Sequence, residues 1–203
     1  MGKSVLDPYH FSFRKRFFDL FFSGMGVILL FPIFLFLSLI IMIFSGSPVF
    51  FVQKRTGLNG KSFNIFKFRT MKNGAQRNQY KYKKLNEADG PVFKIHNDPR
   101  FTKIGKILSR TGLDELPQLF NVIKGEMSFV GPRPLPIYES RKLNRIQKTR
   151  EMIKPGITSP WVVKGSHSLS FKEWMNLDTE YLKKASLKQD IKIIISTLSI
   201  LYR

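Results

Sequence analysis

The strongest pattern in the chain is residues 20–44, twenty-five positions without a charge, built from Phe, Leu, Ile, Val and Met with only Gly, Ser and one Pro between them. A helix over this run extends about 37 Å, more than the roughly 30 Å hydrocarbon core of a bilayer. Pro32 stands near its centre and removes a backbone donor, so a bend is expected there. Arg14, Lys15 and Arg16 precede the run, and Lys54 and Arg55 follow it, which gives both flanks cytoplasmic character. Hydropathy leaves two geometries open: a spanning helix with a tolerated proline, and a re-entrant hairpin that returns at the bend. In the hairpin, Ser23 and Ser38 are candidates to satisfy backbone groups freed at the bend. No small-residue cleavage site follows; Val49, Phe50, Phe51 and Val52 come instead, so the run reads as retained rather than as a cleaved signal.

Beyond it the period changes. Ser45-Gly46-Ser47-Pro48 breaks the run, and residues 49–52 and 63–68 predict two short extended segments around Gly57, Asn59 and Gly60. Ile104, Ile107, Leu108, Leu116, Leu119, Phe120 and Ile123 recur at three- and four-residue steps. They predict two helices divided near Thr111-Gly112, with Asp114 and Glu115 in the first turn of the second. Residues 131–136, Gly-Pro-Arg-Pro-Leu-Pro, predict a rigid loop, whereas 143–153 and 170–202 predict helix. The fold class is therefore mainly α with short β-like segments, divided into an N-terminal membrane segment, 1–48, and a domain over 49–203.

A length of 203 residues suits one domain with a real core. The lack of cysteine excludes disulfides, thiolate metal sites and cysteine nucleophiles. Lys and Arg number 34 against 14 Asp and Glu, and the resulting +20 calls for a polyanionic partner: nucleic acid, an anionic membrane or a phosphorylated small molecule. Ten Lys or Arg and no acid fall within residues 45–86, interleaved with aromatics as in Lys67-Phe68-Arg69. Such a stretch suits stacked single strands, and equally anionic lipid head groups. Its place beside the apolar run favours lipid, so membrane lipids are expected as partners and nucleic acid is not.

Asp114 beside Glu115 offers a carboxylate nucleophile with an acid–base partner, or oxygen ligands for Mg²⁺; the same pair also fits ordinary charge compensation at a helix start. Arg110 and Arg133 offer forked donors for phosphates. These parts suit phosphoryl chemistry, while GxxxxGK[ST] and GxGxxG find no match, which sets aside a P-loop kinase or a dinucleotide enzyme. His10, His96 and His167 lack metal-ligand spacing and receive no role.

Several segments then stand in one order: Gln53-Lys54-Arg55-Thr56-Gly57, Phe66-Lys67-Phe68-Arg69-Thr70-Met71, Asp98-Pro99-Arg100-Phe101-Thr102 and Leu113-Asp114-Glu115-Leu116-Pro117-Gln118-Leu119. Asn121-Val122, Lys124-Gly125-Glu126-Met127-Ser128, Val130-Gly131-Pro132-Arg133-Pro134-Leu135 and Lys154-Pro155-Gly156-Ile157-Thr158 continue the series. Together they cover nearly the whole chain and resemble the bacterial sugar transferase family, in particular its small monotopic polyprenyl-phosphate phosphoglycosyl transferases.

The resemblance implies transfer of a sugar-1-phosphate from a UDP-sugar to polyprenyl (undecaprenyl) phosphate with release of UMP, the first membrane step of a bacterial surface glycan. It implies Asp114 as nucleophile and metal ligand, Glu115 as its assistant, Mg²⁺ as cofactor, and Pro132, Arg133 and Arg110 at the substrate phosphates. It further implies a re-entrant helix kinked near Pro32, a catalytic domain on the cytoplasmic face of the inner membrane, and downstream glycosyltransferases as possible partners. The other reading is a catalytically silent basic membrane protein that binds anionic lipid or pathway partners. Three departures stand out: Gly112 where members usually have Ser, Ser109 where a basic pair usually begins, and Phe31 where Ser commonly precedes the kink proline. The segment Ser159-Pro160-Trp161-Val162-Val163-Lys164-Gly165-Ser166 replaces the usual Gly-Trp-Ala-Gln-Val-Asn-Gly-Arg, which leaves the sugar open.

Overall fold

In the computed structural model, which describes residues 6–165 and 169–201, the uncharged run is two helices. Helix α1 (Phe13–Leu29) and helix α2 (Phe31–Ser45) meet at a bend of 60°. The break falls at Leu30 (φ −92°, ψ 3°), two residues ahead of the position the proline marks. Pro32 instead occupies the first turn of α2, where a missing N–H interrupts no helical bond. Neither helix alone is long and apolar enough to cross a membrane. Ser23 and Ser38 do not serve the bend: their hydroxyls donate to the carbonyls of Asp19 (2.5 Å) and Phe34 (2.7 Å), one turn back in their own helices. Leu30 bridges the break through its own backbone, its N–H donating to Gly26 and its carbonyl accepting from Phe34.

Packing fixes the direction of α2. Phe34, Leu37 and Ile41 bury themselves against Phe68 and Leu108. Phe68 ends strand β2 (Ser62–Phe68), which pairs antiparallel with β1 (Phe50–Thr56) in a register from Phe50 opposite Phe68 to Thr56 opposite Ser62. Asn59 and Gly60, both at positive φ, turn the chain between them, so the two extended segments appear where expected, with β1 running on to Thr56. Leu108 belongs to α3 (Lys103–Thr111), which ends at Gly112 in the left-handed region, φ 69°. A Cβ suits that conformation poorly, so the glycine that departs from the family's serine matches its backbone.

The next helix starts later than the periodicity suggests. Leu113–Glu115 form a separate 3-10 turn, and α4 runs Gln118–Lys124 after Pro117. Proline lacks the N–H that would carry one helix through 113–117, so Asp114 and Glu115 sit ahead of α4 rather than in its first turn.

Strand β3 (Ser128–Val130) pairs parallel with β4 (Gly156–Thr158), and helices α5 (Ile137–Ser140) and α6 (Pro160–Val163) flank the loops between and after them. The helix expected over 143–153 is absent as such; the region holds a 3-10 segment, Gln147–Met152. Asn144 and Gln147 exchange side-chain to backbone bonds of 2.9 Å each, a local alternative to the helical ladder. The C-terminal stretch is two helices, α7 (Phe171–Lys184) and α8 (Leu187–Leu201), the first opened by a capping box of Ser170 and Glu173. Tyr181, Leu182 and Ile193 from this pair close over Val130 and Ile153 to form the main core.

Candidate active site

The 3-10 turn presents two carboxylates to one lysine. Lys67 Nζ, on β2, lies 2.5 Å from Glu115 Oε1 and 3.5 Å from Asp114 Oδ2. Asn121, fully buried on α4, holds the turn and strand in that relation. Its amide donates to the Asn64 carbonyl (2.7 Å) and its side-chain oxygen accepts the Phe66 N–H (3.1 Å), one residue from Lys67.

Arg133 arrives from the other side, Nη1 3.5 Å from Glu115 Oε1. Its loop is anchored along its length. The Gly131 N–H donates to Thr158, the Pro132 carbonyl accepts from Gly156, and the Arg133 carbonyl accepts from Arg150 at 2.9 Å. The Pro134 carbonyl accepts from Arg55 at 3.1 Å. A Cβ at Gly131 would stand 2.5 Å from the Lys154 carbonyl, so only glycine lets the loop cross there. Pro132 is thus a buried support of the loop. Arg110 is exposed in the last turn of α3 and is not among the residues that bond either carboxylate, so the arrangement brings together Asp114, Glu115 and Arg133 but leaves Arg110 outside.

The sequence places Lys67 in a basic, aromatic-interleaved stretch suited to lipid head groups and gives it no role at the carboxylates. Arg55 reads there as a basic flank of the apolar run, and Lys94 receives no role. Arg55 is half-buried beside Arg133, its Nε has no hydrogen-bond partner among the described residues, and burial followed by the Arg133 charge pulls its pKa down to about 10. Burial and Arg133 likewise pull Lys94 down to about 8. Lys94 and Arg133 both approach the ring of Trp161, at 5.3 and 5.7 Å, and Trp161 stacks on Trp174 at 4.5 Å between ring centres. The altered segment after Thr158 therefore builds α6 and a tryptophan wall; Ser166 and His167 lie outside the described residues.

The two carboxyls titrate in opposite directions. Burial raises Asp114, 6% exposed, against the pull of Lys67, and the charge of Glu115 raises it further. Burial works the same way on Glu115, but Lys67 and Arg133 outweigh it and hold that group at about 2. At neutral pH Glu115 is a fixed anion clamped between two cations, while Asp114 keeps an unusually basic oxygen next to it. Arg55 and Lys94 have acids of their own nearby, Glu139 and Glu87, so it is Lys67 and Arg133 that stand at the two carboxylates as donors for the oxygens of a phosphate. Among the described residues no group of three or more His, Cys, Asp and Glu side chains forms a metal cage. Two adjacent hard-oxygen donors fit Mg²⁺ in the mode where substrate phosphates complete its coordination.

Comparison with known proteins gives this geometry a context. Residues 10–203 match the family described as bacterial sugar transferase. The chain is 44% identical over 156 residues to the galactosyl transferase CpsE of Streptococcus agalactiae, a match covering 76% of this chain and 35% of that protein. It is 35% identical over 193 residues to the exopolysaccharide production protein ExoY of Rhizobium meliloti, covering 91% and 83% respectively. It is 36% identical over 199 residues to the undecaprenyl-phosphate galactose phosphotransferase of Salmonella typhimurium, covering 94% and 41%. The chain thus spans well under half of the first and third relatives and most of the second. With a family match that takes in the carboxylates, the loop and the bent helices alike, the chain belongs to the bacterial sugar transferase family.

Proposed function

We propose that this chain is a polyprenyl-phosphate sugar-phosphate transferase of exopolysaccharide or capsule synthesis, using a UDP-sugar as donor and undecaprenyl phosphate as acceptor. The observation that carries the reading is the pair of buried Asp114 and half-buried Glu115 facing Lys67 and Arg133. In the first step an Asp114 carboxylate oxygen attacks the phosphorus that bears the sugar. The bond from that phosphorus to the bridging oxygen breaks, and UMP leaves with the electron pair. In the second step an oxygen of the lipid phosphate attacks the same phosphorus and returns the carboxylate of Asp114. Arg133 and Lys67 hold the phosphate oxygens and balance the charge that builds on them, and Glu115, held ionised between them, orients both cations. Mg²⁺ bound with the diphosphate at Asp114 would lower the repulsion between two anions.

The bent α1–α2 pair supports a re-entrant, monotopic placement in the cytoplasmic membrane, with the carboxylates on the cytoplasmic face and basic residues on both flanks. Purified full-length protein with Mg²⁺, undecaprenyl phosphate and a panel of UDP-sugars is expected to release UMP with one of them. Asp114→Asn is expected to lower that release more than about 10,000-fold, the scale on which removal of a nucleophile acts. Intact mass of enzyme quenched with donor alone should show one sugar-phosphate added. An active Asp114→Asn enzyme, or turnover with no adduct under any quench, rules the covalent route out.

A further inference from the structure

At the far end of α4 from the carboxylates, a cavity of about 260 Å³ opens between the foot of α1 and β3, lined among others by Phe11, Lys15, Arg16, Asp19, Ser128 and Lys154. Its cations are unequally satisfied. Lys15 reaches the Asp190 carboxylate at 2.6 Å. Arg16 spends its guanidinium on the carbonyls of Val122 (2.7 Å) and Ile123 (2.9 Å), neutral partners that leave its charge standing. Lys154 has no carboxylate within ion-pair distance among the described residues, and burial together with Arg16 and Lys15 lowers its pKa. Asp19 is the acid in the lining, and one of its oxygens is already taken by the Ser128 hydroxyl (3.0 Å) and the Phe129 N–H (3.1 Å). Lys15 is thus answered by Asp190 and by Asp19 at 3.8 Å, whereas Arg16 and Lys154 face the open cavity without a carboxylate of their own, an arrangement that an anion stabilises.

The position of the cavity selects the source of that anion. It lies where α1 passes from its basic first turn to the uncharged run, the depth of lipid head groups in the placement given above. Phe11 is exposed in its lining, and Phe13, Phe17 and Phe21 form a ladder along α1 with successive ring centres 6.1 and 6.0 Å apart, all exposed. We propose that this cavity binds the phosphate of an anionic phospholipid, with its acyl chains in the bilayer beside α1. Helix α4, about 10 Å long, separates it from the reacting carboxylates, so it is not the acceptor's site. The inference rests on the membrane placement in the proposed function, and its readout needs no sugar nucleotide.

The test is native mass spectrometry of the full chain in mild detergent with phosphatidylglycerol and phosphatidylcholine added together. The native protein should retain one phosphatidylglycerol in preference to phosphatidylcholine. Lys154→Gln should weaken that retention about fivefold, as expected for one lysine lost near a charged head group, and Lys154→Arg should preserve it. An excess of inorganic phosphate should not displace the lipid. Equal retention by the Lys154→Gln protein, lack of preference for the anionic lipid, or full displacement by phosphate overturns the proposal. UMP release measured in parallel separates this outcome from the fate of the transferase reading.

Discussion

Lys67 does two jobs with one ammonium group. It holds Glu115 ionised at 2.5 Å and partly offsets the burial that raises Asp114. Because the folded pKa of Glu115 lies below its ordinary value, that group stabilises the fold at pH values above the ordinary range, and the contribution is lost as pH falls from about 4.5 to about 2. Asp114 has the opposite sign: its raised pKa favours the fold at low pH, and that contribution is lost as pH rises through the folded value. Lys67→Met should therefore move both carboxyls upward. The acidic limb of the kcat/KM profile is expected to shift to higher pH, with activity at neutral pH down about 100-fold, the scale of a misplaced acid–base group. An unmoved limb would mean that Lys67 does not set these ionisations. Residue-scale legibility follows from this physics. Asp114, Glu115 and Arg133 were readable because each belongs to a short local motif, whereas Lys67, Arg55 and Lys94 acquire meaning only when chain segments far apart in sequence come together.

The elements show where local pattern stops deciding. Short apolar runs on either side of Gly57, Asn59 and Gly60 made two extended segments legible, though not their pairing, and hydrophobic steps placed α3. The 3-10 turn at Leu113–Glu115 was not legible, because its distinction from a helix start depends on Pro117 denying one backbone bond. The bend likewise shows a proline's neighbourhood in the sequence, while its placement at Leu30 reflects α2 packing on β2 and α3. That packing depends on a close approach: a Cβ at Gly105 would lie 1.8 Å from the Thr70 carbonyl oxygen. Gly105→Ala must push α3 away from the segment after β2, and a destabilisation of about 1–3 kcal/mol is expected in a thermal or denaturant melt. For the hairpin itself, the cysteine-free chain permits clean labelling. Single-cysteine variants Lys3→Cys and Lys61→Cys should react with an impermeant reagent from the same side of the membrane; labelling from opposite sides would establish a spanning helix.

At the scale of the whole molecule, the apolar segment is built into the catalytic body. Lys15 pairs with Asp190 of α8, whose carboxylate also accepts from Tyr9 and Tyr181 at 2.9 and 2.7 Å. Arg16 caps the last carbonyls of α4, Asp19 accepts the Phe129 N–H of β3, and a Cβ on Gly26 would meet Leu119 at 3.2 Å. Removal of residues 1–48 would leave Asp190, 0% exposed, without its cation, and would uncover the buried faces of α4 and β3. Loss of one partner from a buried ion pair alone costs about 3–5 kcal/mol, comparable to the stability of a whole domain. The expected outcome is that a chain of residues 49–203 does not fold to an active enzyme even in detergent with a water-soluble acceptor analogue. A chain of residues 31–203, supplied in trans with a peptide of residues 1–30, should recover measurable UMP release, because the polar contacts to α4, β3 and α8 come from α1 and the residues just before it, while α2 keeps its Phe34–Phe120 ring contact to α4. If residues 49–203 alone give a cooperative melt and full activity, the helices serve only as an anchor, and the ion pair between Lys15 and Asp190 contributes nothing to the site.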